Sequence, residues 1–272
     1  MSSVHSELAR DWIKRWDRQQ ESFLPERDAQ FEALIDAVEL TCGQHGPLVV
    51  DLGCGPGSVG SRLIDRIPGA TVVGIDADPL LLELGRAAHA DLPGLRLVDA
   101  DLNAPDWPDA LGLDRPADAI VSITALHWLD PAALAEVYVH ALRLLRPAGL
   151  LVNCDELERD GRTSPALTRL DRAMLERQAQ RRFRDGNDEG WGDWWEHVLA
   201  DPHFADAVAE RKRRGFVGEK HGCPSGLLSV HVDALHAAGF VEVGTVWQRG
   251  EVKLLCAVAG PLQEAEPRGS HG

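Results

Sequence analysis

Short apolar runs alternate with helix-like stretches along most of this chain, and that alternation constrains its fold more than any other feature. PLVVDLG, TVVGID, LRLVDAD, ADAIVSI and GLLVNCDE are strand-like and apolar almost throughout, as expected of strands buried on both faces of a parallel sheet. Between them, Ser58–Ile67, Pro79–Ala90 and Pro131–Leu145 read as helices; Pro68-Gly69 stops the first and Asp130-Pro131 starts the last. Two further helices, over 6–20 and 25–42, precede the first strand, with Pro25 in the first turn of the second and Phe31, Leu34, Ile35 and Val38 at helical spacing. Strands and helices in this rhythm predict βαβ units in a doubly wound sheet.

The rhythm breaks after residue 160. Residues 160–228 hold charged helical segments, the aromatic cluster WGDWW and the Gly/Pro-rich exit GEKHGCPSG, and they read as a helical insertion over one end of the sheet. A helix over Ser229–Ala238 follows, with Ser229 as its expected N-cap and Gly239 as its stop. VEVGTVWQ and EVKLLCAVA are then joined only by Arg249-Gly250, too short a link for a parallel crossover, so these two strands form an antiparallel hairpin. The expected architecture is α/β: a doubly wound, mostly parallel seven-stranded sheet with a terminal antiparallel hairpin and a helical cap insertion. Its expected parts are an N-terminal helical cap (1–45), a core (46–160 and 229–260), the insertion (161–228) and a disordered tail (261–272).

Bulk properties remove several classes of function. A formal net charge of −15 argues against a nucleic-acid partner, which wants a basic surface. The stretch MSSVHSELARDWIKRWDRQQ is polar and unlike a signal, and no apolar run approaches a membrane span. Five cysteines (42, 54, 154, 223, 256) lie far apart without a C-x-x-C, so a cytoplasmic protein with reduced thiols is expected. The insertion is internally balanced, with 12 basic and 12 acidic residues, so the acidic excess lies elsewhere.

Between the first strand and its helix lies GCGPGSVG, residues 53–60. Gly55-x-Gly57-x-x-Gly60 matches the dinucleotide-binding triplet, a weak signal alone, while Gly53-x-Gly55-x-Gly57 gives a second rhythm in the same loop. Asp51, just before the loop, suits an ammonium and is awkward beside a pyrophosphate; the plainer alternative is a carboxylate that orders the glycines. Asp76 ends the second strand about 20 residues after the loop, where a carboxylate can accept ribose hydroxyls. Capping the next helix is its plainer role, though Asp78 is better placed for that. At the carboxyl end of the fourth strand stand Ser122, Thr124, His127 and Trp128, and at that of the fifth Asp155 and Glu156.

VVDLGCGPGS, VVGIDADP, LVDADL, SITALHWLDP and RPAGLLVNCDE, in this order and closed by a hairpin, resemble the class I S-adenosylmethionine-dependent methyltransferases. The resemblance spans about 45–160 and 229–260. It implies S-adenosylmethionine as cofactor, with Asp51 and the backbone of Gly53, Gly55 and Gly57 at its methionine end. Asp76 with Ala77 would then take the ribose, Asp101 with Leu102 the adenine, and Ser122 and Thr124 would line the same edge. The pattern favours Asp101 over Asp99, for which a solvated turn carboxylate is a fair alternative. Relatives also close a helix carrying an aromatic–Asp pair over the cofactor; Trp16-Asp17 occupies that place, with tryptophan where tyrosine is usual. ALHWLDP resembles the carboxylate-methylating relatives of trans-aconitate methyltransferase, and VGTVWQ the carboxy-S-adenosylmethionine synthase group; both matches are too short to transfer a substrate.

Methyl transfer is an in-line displacement, so the protein must mainly align and desolvate. A base is needed only for an acceptor that arrives protonated, and His127 is the candidate; a histidine packed on Trp128 is the competing reading. Asp155 and Glu156 are candidates to orient a substrate, or else caps or surface carboxylates. For the acceptor, Trp128, Trp191, Trp195 and His221 are candidates. Trp191, Trp194 and Trp195 share one helix face that either roofs a pocket or packs on the core, core packing being the commoner use. Arg181, Arg182, Arg184 and the run Arg211–Arg214 either meet an anionic acceptor or lie on solvated helix faces. His221, Cys223, His231 and His236 fit no zinc spacing, and no metal is expected. The expected activity is methyl transfer to a small-molecule O-, N- or C-nucleophile, with a carboxylate-bearing acceptor among the options, no nucleic-acid or membrane partner, and no indication of oligomeric state. An NAD(P)-dependent oxidoreductase and a non-catalytic S-adenosylmethionine-binding module are the rivals.

Overall fold

The computed structural model describes residues 3–23, 27–43, 46–182, 189–216 and 225–261. Helices α1 (Ser3–Phe23) and α2 (Arg27–Cys42) lead into a sheet of β1 (Leu48–Leu52), β2 (Thr71–Asp76), β3 (Leu95–Asp99), β4 (Ala117–Ile123), β5 (Leu145–Glu156), β6 (Glu242–Arg249) and β7 (Val252–Val258). Its order is β3-β2-β1-β4-β5-β7-β6. Strands β1 to β5 run parallel, while β7 pairs antiparallel with both β5 and β6. The mostly parallel seven-stranded sheet with its terminal hairpin is therefore as the sequence implies.

Apolar runs become central strands because both of their faces are covered. All five residues of β1 are buried. On one face, Val50, Leu52, Ile120 and Leu151 meet α6 (Pro131–Leu144) and α10 (Leu228–Ala238), through residues such as Leu134, Val137 and Leu235. On the other, Val49, Val72, Val121 and Val152 meet α2 and α3 (Ser58–Arg66) through Phe31, Leu34, Val38 and Leu63. The edge strand β6 is largely exposed, with Val246 66% accessible.

A third apolar cluster joins the two parts read as caps. Helix α1 lies along α4 (Pro79–Ala88), and α8 (Trp191–Leu199) and α9 (Ala205–Arg213), from the insertion, pack on the same pair. Trp194 is fully buried, edge-on to Trp12 and Trp16, and its indole N–H donates to the Trp12 carbonyl. The tryptophan face thus serves packing at its centre, with Trp191 and Trp195 half-buried at its margin.

Several local expectations change. The last helix starts at Leu228, one residue before the expected cap, and Leu227 rather than Ser229 occupies the N-cap without a side-chain bond. Gly239 does stop it, in the left-handed region at φ 106. Strand β5 begins at Leu145, directly after α6, and Ala148 takes φ 55 before the strand regains register with β4. Helix α7 (Pro165–Arg182) and the one-turn α5 (Trp107–Ala110) complete the elements introduced so far. Pro25, Arg184, His221, Cys223 and the tail beyond 261 lie outside the described residues, as do the side chains of Arg181 and Arg182.

Candidate active site

Strand order creates the site. β1 is flanked by β2 on one side and β4 on the other, so the connections leave in opposite directions and a crevice opens at the carboxyl ends of β1 and β4. The glycine loop fills its floor. Gly53 and Cys54 both donate their amides to the Ile75 carbonyl, at 2.9 and 3.0 Å, and the Gly55 amide donates to Asp76 Oδ2 at 2.8 Å. Gly53 has φ 70, and a Cβ there would run into the Cβ of Ala125 on the loop after β4. The position demands glycine twice over, for conformation and for contact. Gly60, the third residue of the formal triplet, has ordinary φ and serves packing: a Cβ would press on Leu95 and Val72. It does not discriminate between cofactors, because dinucleotide folds use their third glycine in the same way.

Asp51 lies on β1, in register with Gly74 of β2 and Val121 of β4. It is 1% exposed, and neither carboxyl oxygen has a hydrogen-bond partner in the protein. Burial, reinforced by the Asp76 charge, pushes it up to about 8. Unpaired buried carboxyls are costly and uncommon, so this one is shaped for a missing partner that donates hydrogen bonds or carries positive charge. Asp76, at the end of β2, accepts from the amides of Gly55 and Asp78 through separate oxygens, both at 2.8 Å. Burial pushes it up to about 6, with those amides opposing the shift. Asp78 caps α4 by accepting from the Leu80 amide, the role the sequence assigns to it.

At β3, Asp99 and Asp101 have parted company. Asp99 is held bidentately by Arg214 at 2.6 and 2.8 Å, while exposed Asp101 accepts from the amide and side chain of Asn103. Ala77 offers its carbonyl to Arg214, and Leu102 is partly buried. Arg211 binds Asp78 at 2.7 Å and lies over the Trp195 ring; Arg213 and Arg214 pair with Glu210. Of the two readings of the run, the acceptor-facing one finds no support: Arg211 and Arg214 pair with carboxylates across the fold, and Arg213 pairs with Glu210 on an exposed helix face. Trp16 is buried among Trp191, Trp194 and Trp195. Its neighbour Asp17 accepts from Ser58 Oγ and Arg62, tying α1 to the start of α3.

The next crevice, between β4 and β5, brings together residues that the sequence leaves 28 apart. Ser122 donates to the Leu52 carbonyl at 2.8 Å, locking β4 to β1. Thr124, at φ 52, donates its amide to the Cys154 carbonyl and turns the chain into a 3-10 turn over Leu126–Trp128. That turn aims the His127 Nδ1 at Asp155 Oδ1, 2.7 Å away. A carboxylate opposite Nδ1 makes it the proton-bearing nitrogen, leaving the Nε2 lone pair free of the dyad. Asp155 is fully buried; Oδ1 also accepts from the Glu156 amide, and Oδ2 has no partner. Trp128 stacks obliquely on His127, their rings 4.7 Å apart. Glu156 is exposed and outside the dyad.

Sequence reasoning missed the groups beneath this dyad. Tyr138, the chain's single tyrosine, meets His231 Nδ1 at 2.5 Å, with Asn153 Nδ2 3.3 Å from the same nitrogen, and all three residues are fully buried. His231, a member of the rejected metal set, is thus a hydrogen-bonded core histidine. No group of residues among those described could hold a metal ion.

The sheet order and the glycine loop are those that the resemblance to the class I S-adenosylmethionine-dependent methyltransferases implies. Residues 49–149 match a family model described as a methyltransferase domain. The chain is 38% identical over 137 residues to trans-aconitate 2-methyltransferase of Azoarcus sp. (strain BH72), covering 50% of this chain and 49% of that protein. With the enzyme of the same name from Escherichia coli (strain K12 / DH10B) it shares 36% over 129 residues, 47% and 46% of the two chains. It spans about half the length of the curated relatives it matches. Among solved structures, the magnesium protoporphyrin IX methyltransferase of Synechocystis PCC 6803 superimposes with TM-score 0.55 at 15% identity, covering 94% of this chain and 98% of that one. An O-methyltransferase family protein from Burkholderia thailandensis gives 0.53 at 20% identity, over 96% and 71%. These two likenesses establish the fold.

Proposed function

We propose that the chain transfers a methyl group from S-adenosylmethionine to a small-molecule acceptor. The observation that carries this reading is Asp51: a buried carboxyl with two unpartnered oxygens beneath a loop that only glycine can form. Once ionised, it suits the ammonium of an amino-acid moiety and would repel the pyrophosphate of NAD. The backbone of Gly53, Gly55 and Gly57 would hold the rest of that moiety, Asp76 the ribose, and Asp101 with Leu102 the adenine. When bound, S-adenosylmethionine supplies an electrophilic methyl group on a sulfonium.

The protein's own part is alignment, exclusion of water and proton handling at one atom. With Nδ1–H retained on Asp155, His127 takes the proton of a hydroxyl, phenol or amine at Nε2 as the nucleophile attacks. A second reading is favoured by the relatives named trans-aconitate 2-methyltransferase. A carboxylate acceptor needs no base, and His127 in its doubly protonated form would hold it by donating from Nε2. The two readings give opposite pH profiles: turnover rises with pH for a base and falls for a donor. A small-molecule partner and a cytoplasmic location complete the proposal, supported by the −15 charge and by free thiols at Cys42, Cys54, Cys154 and Cys256. No described helix is long and apolar enough to cross a membrane.

Parallel calorimetric titration with S-adenosylhomocysteine and NADH tests the cofactor, followed by an acceptor panel that includes trans-aconitate. Binding of S-adenosylhomocysteine, with methyl transfer that His127→Gln lowers about 100-fold or more, is expected. Binding of NADH alone would overturn the proposal. Cofactor binding without turnover on any acceptor would favour a binding module instead.

A further inference from the structure

The turn that carries His127 is held from below by the exit of the insertion, and the holding runs through one buried histidine. Ser225, fully buried, donates its hydroxyl to the Leu129 carbonyl at 2.8 Å and its amide to the His127 carbonyl at 3.4 Å. It therefore grips both the turn and the residue after it. The Ser225 carbonyl is in turn 2.7 Å from His231 Nε2. A carbonyl only accepts, so Nε2 carries the proton and Nδ1 is left as an acceptor for the Tyr138 hydroxyl and the Asn153 amide. Burial pushes the His231 imidazole down, which keeps it neutral, with one donor and one acceptor, as this arrangement requires.

The same segment is stitched to the far side of the site. The Glu158 amide donates to the Gly226 carbonyl at 2.7 Å, and the Leu228 amide returns to the Glu158 carbonyl at 3.0 Å. Asn153, two residues before Asp155 on the same face of β5, ties His231 to the strand that supplies the carboxylate of the dyad. Both halves of the dyad thus rest on groups that converge on His231: the His127 turn through Ser225, and the Asp155 strand through Asn153.

We propose that His231 is a positioning residue for His127, holding through Ser225 the turn that keeps Nδ1–H on Asp155 and directs Nε2 at the acceptor. This rests on the reading that His127 acts on the acceptor. Among the described residues no hydrogen bond links the Tyr138–His231–Asn153 set to the His127 ring, so its hold on that ring runs through Ser225 and β5.

The test reads the His127 tautomer rather than turnover. Long-range proton–nitrogen correlations are recorded on the nitrogen-15-labelled full chain with saturating S-adenosylhomocysteine. His127 is assigned by the signal lost in His127→Gln. The wild type is expected to show His127 protonated at Nδ1. In His231→Leu the turn loosens, the bond to Asp155 is lost and Nε2–H becomes the major form, the ordinary preference of a free imidazole. His231→Gln, whose amide can donate to Ser225 and accept from Tyr138, should restore Nδ1–H. Ser225→Ala, a smaller change that cuts only the tie to Leu129, should give a partial switch and serves if His231→Leu does not fold. S-adenosylhomocysteine affinity should stay within about threefold in each folded variant, because the cofactor crevice lies between β1 and β4. A wild-type tautomer in every folded variant, or failure of the Gln variant to restore it, would overturn the proposal. Methyl transfer that survives His127→Gln would instead remove the reading beneath it, leaving the tautomer result to be judged separately.

Discussion

Asp51 gives the sharpest quantitative expectation. Its carboxyl is buried, unpartnered and pushed up to about 8. At pH 7 it is then about nine-tenths protonated, and it must ionise to receive an ammonium. Cofactor binding should therefore release roughly 0.9 proton at pH 7, half a proton at pH 8 and roughly 0.1 at pH 9. Asp76, pushed up to about 6, is only about one-tenth protonated at pH 7 and changes this count little. The same linkage makes S-adenosylhomocysteine bind about 20-fold more tightly at pH 7.5 than at pH 6, with Asp76 adding at most about twofold. Stability moves the other way. The folded value lies above the ordinary aspartate value near 3.9, so the folded protein binds more protons between the two, and the contribution is lost as pH rises from about 4 to about 8. At about 1.4 kcal/mol per unit, the loss reaches at most about 6 kcal/mol without cofactor. Asp51→Asn should flatten that pH dependence, remove the proton release and weaken S-adenosylhomocysteine by about 100-fold. Calorimetry in buffers of different ionisation enthalpy counts the protons. Tight binding at pH 7 with no proton released would refute the assignment of Asp51 as the ammonium's partner.

Two further substitutions probe the scaffold. Gly53→Ala forces a side chain into a positive-φ position against Ala125; it should cost about 1–3 kcal/mol and more than tenfold in S-adenosylhomocysteine affinity, read by thermal denaturation and calorimetry. Trp194→Ala empties the fully buried centre of the aromatic cluster and should cost about 3–5 kcal/mol. Faster hydrogen exchange in α1, α8 and α9 than in the sheet should accompany it, and uniform exchange would show that the cluster does not unfold as a unit.

The elements legible in the sequence were those whose residues answer to a local rule. LVVDL and ADAIVSI read as strands because parallel central strands are apolar on both faces. Asp78 and Asp130 were readable as caps because each binds an amide two residues on, and Asp130 a second one three residues on. WPDA, at four residues, is too short to show any period. Ser229 looked like a cap because serine often is one, but the chain enters α10 a residue earlier, where the Leu228 amide is satisfied by the Glu158 carbonyl, 70 residues away. The run Arg211–Arg214 read mainly as a solvated helix face, with Glu210 within one turn of it; only the folded chain brings Asp78 to Arg211 and Asp99 to Arg214.

The site divides along the same line. The cofactor side is built from consecutive residues at strand–helix turns: Asp51 with the glycines, and Asp76 with Ala77. A single turn holds its whole pattern, so it survives as a motif. The acceptor side is built across the β4–β5 crevice, where pairing of Ile123 with Cys154 sets His127 beside Asp155. Neither residue signals the other in sequence, and each has an innocent explanation alone. His231 and Tyr138 lie further still from the readable pattern, 93 residues apart and joined by a buried hydrogen bond. Under the proposed activity, such an architecture writes its methyl-donor site in short motifs and its acceptor chemistry in long-range contacts.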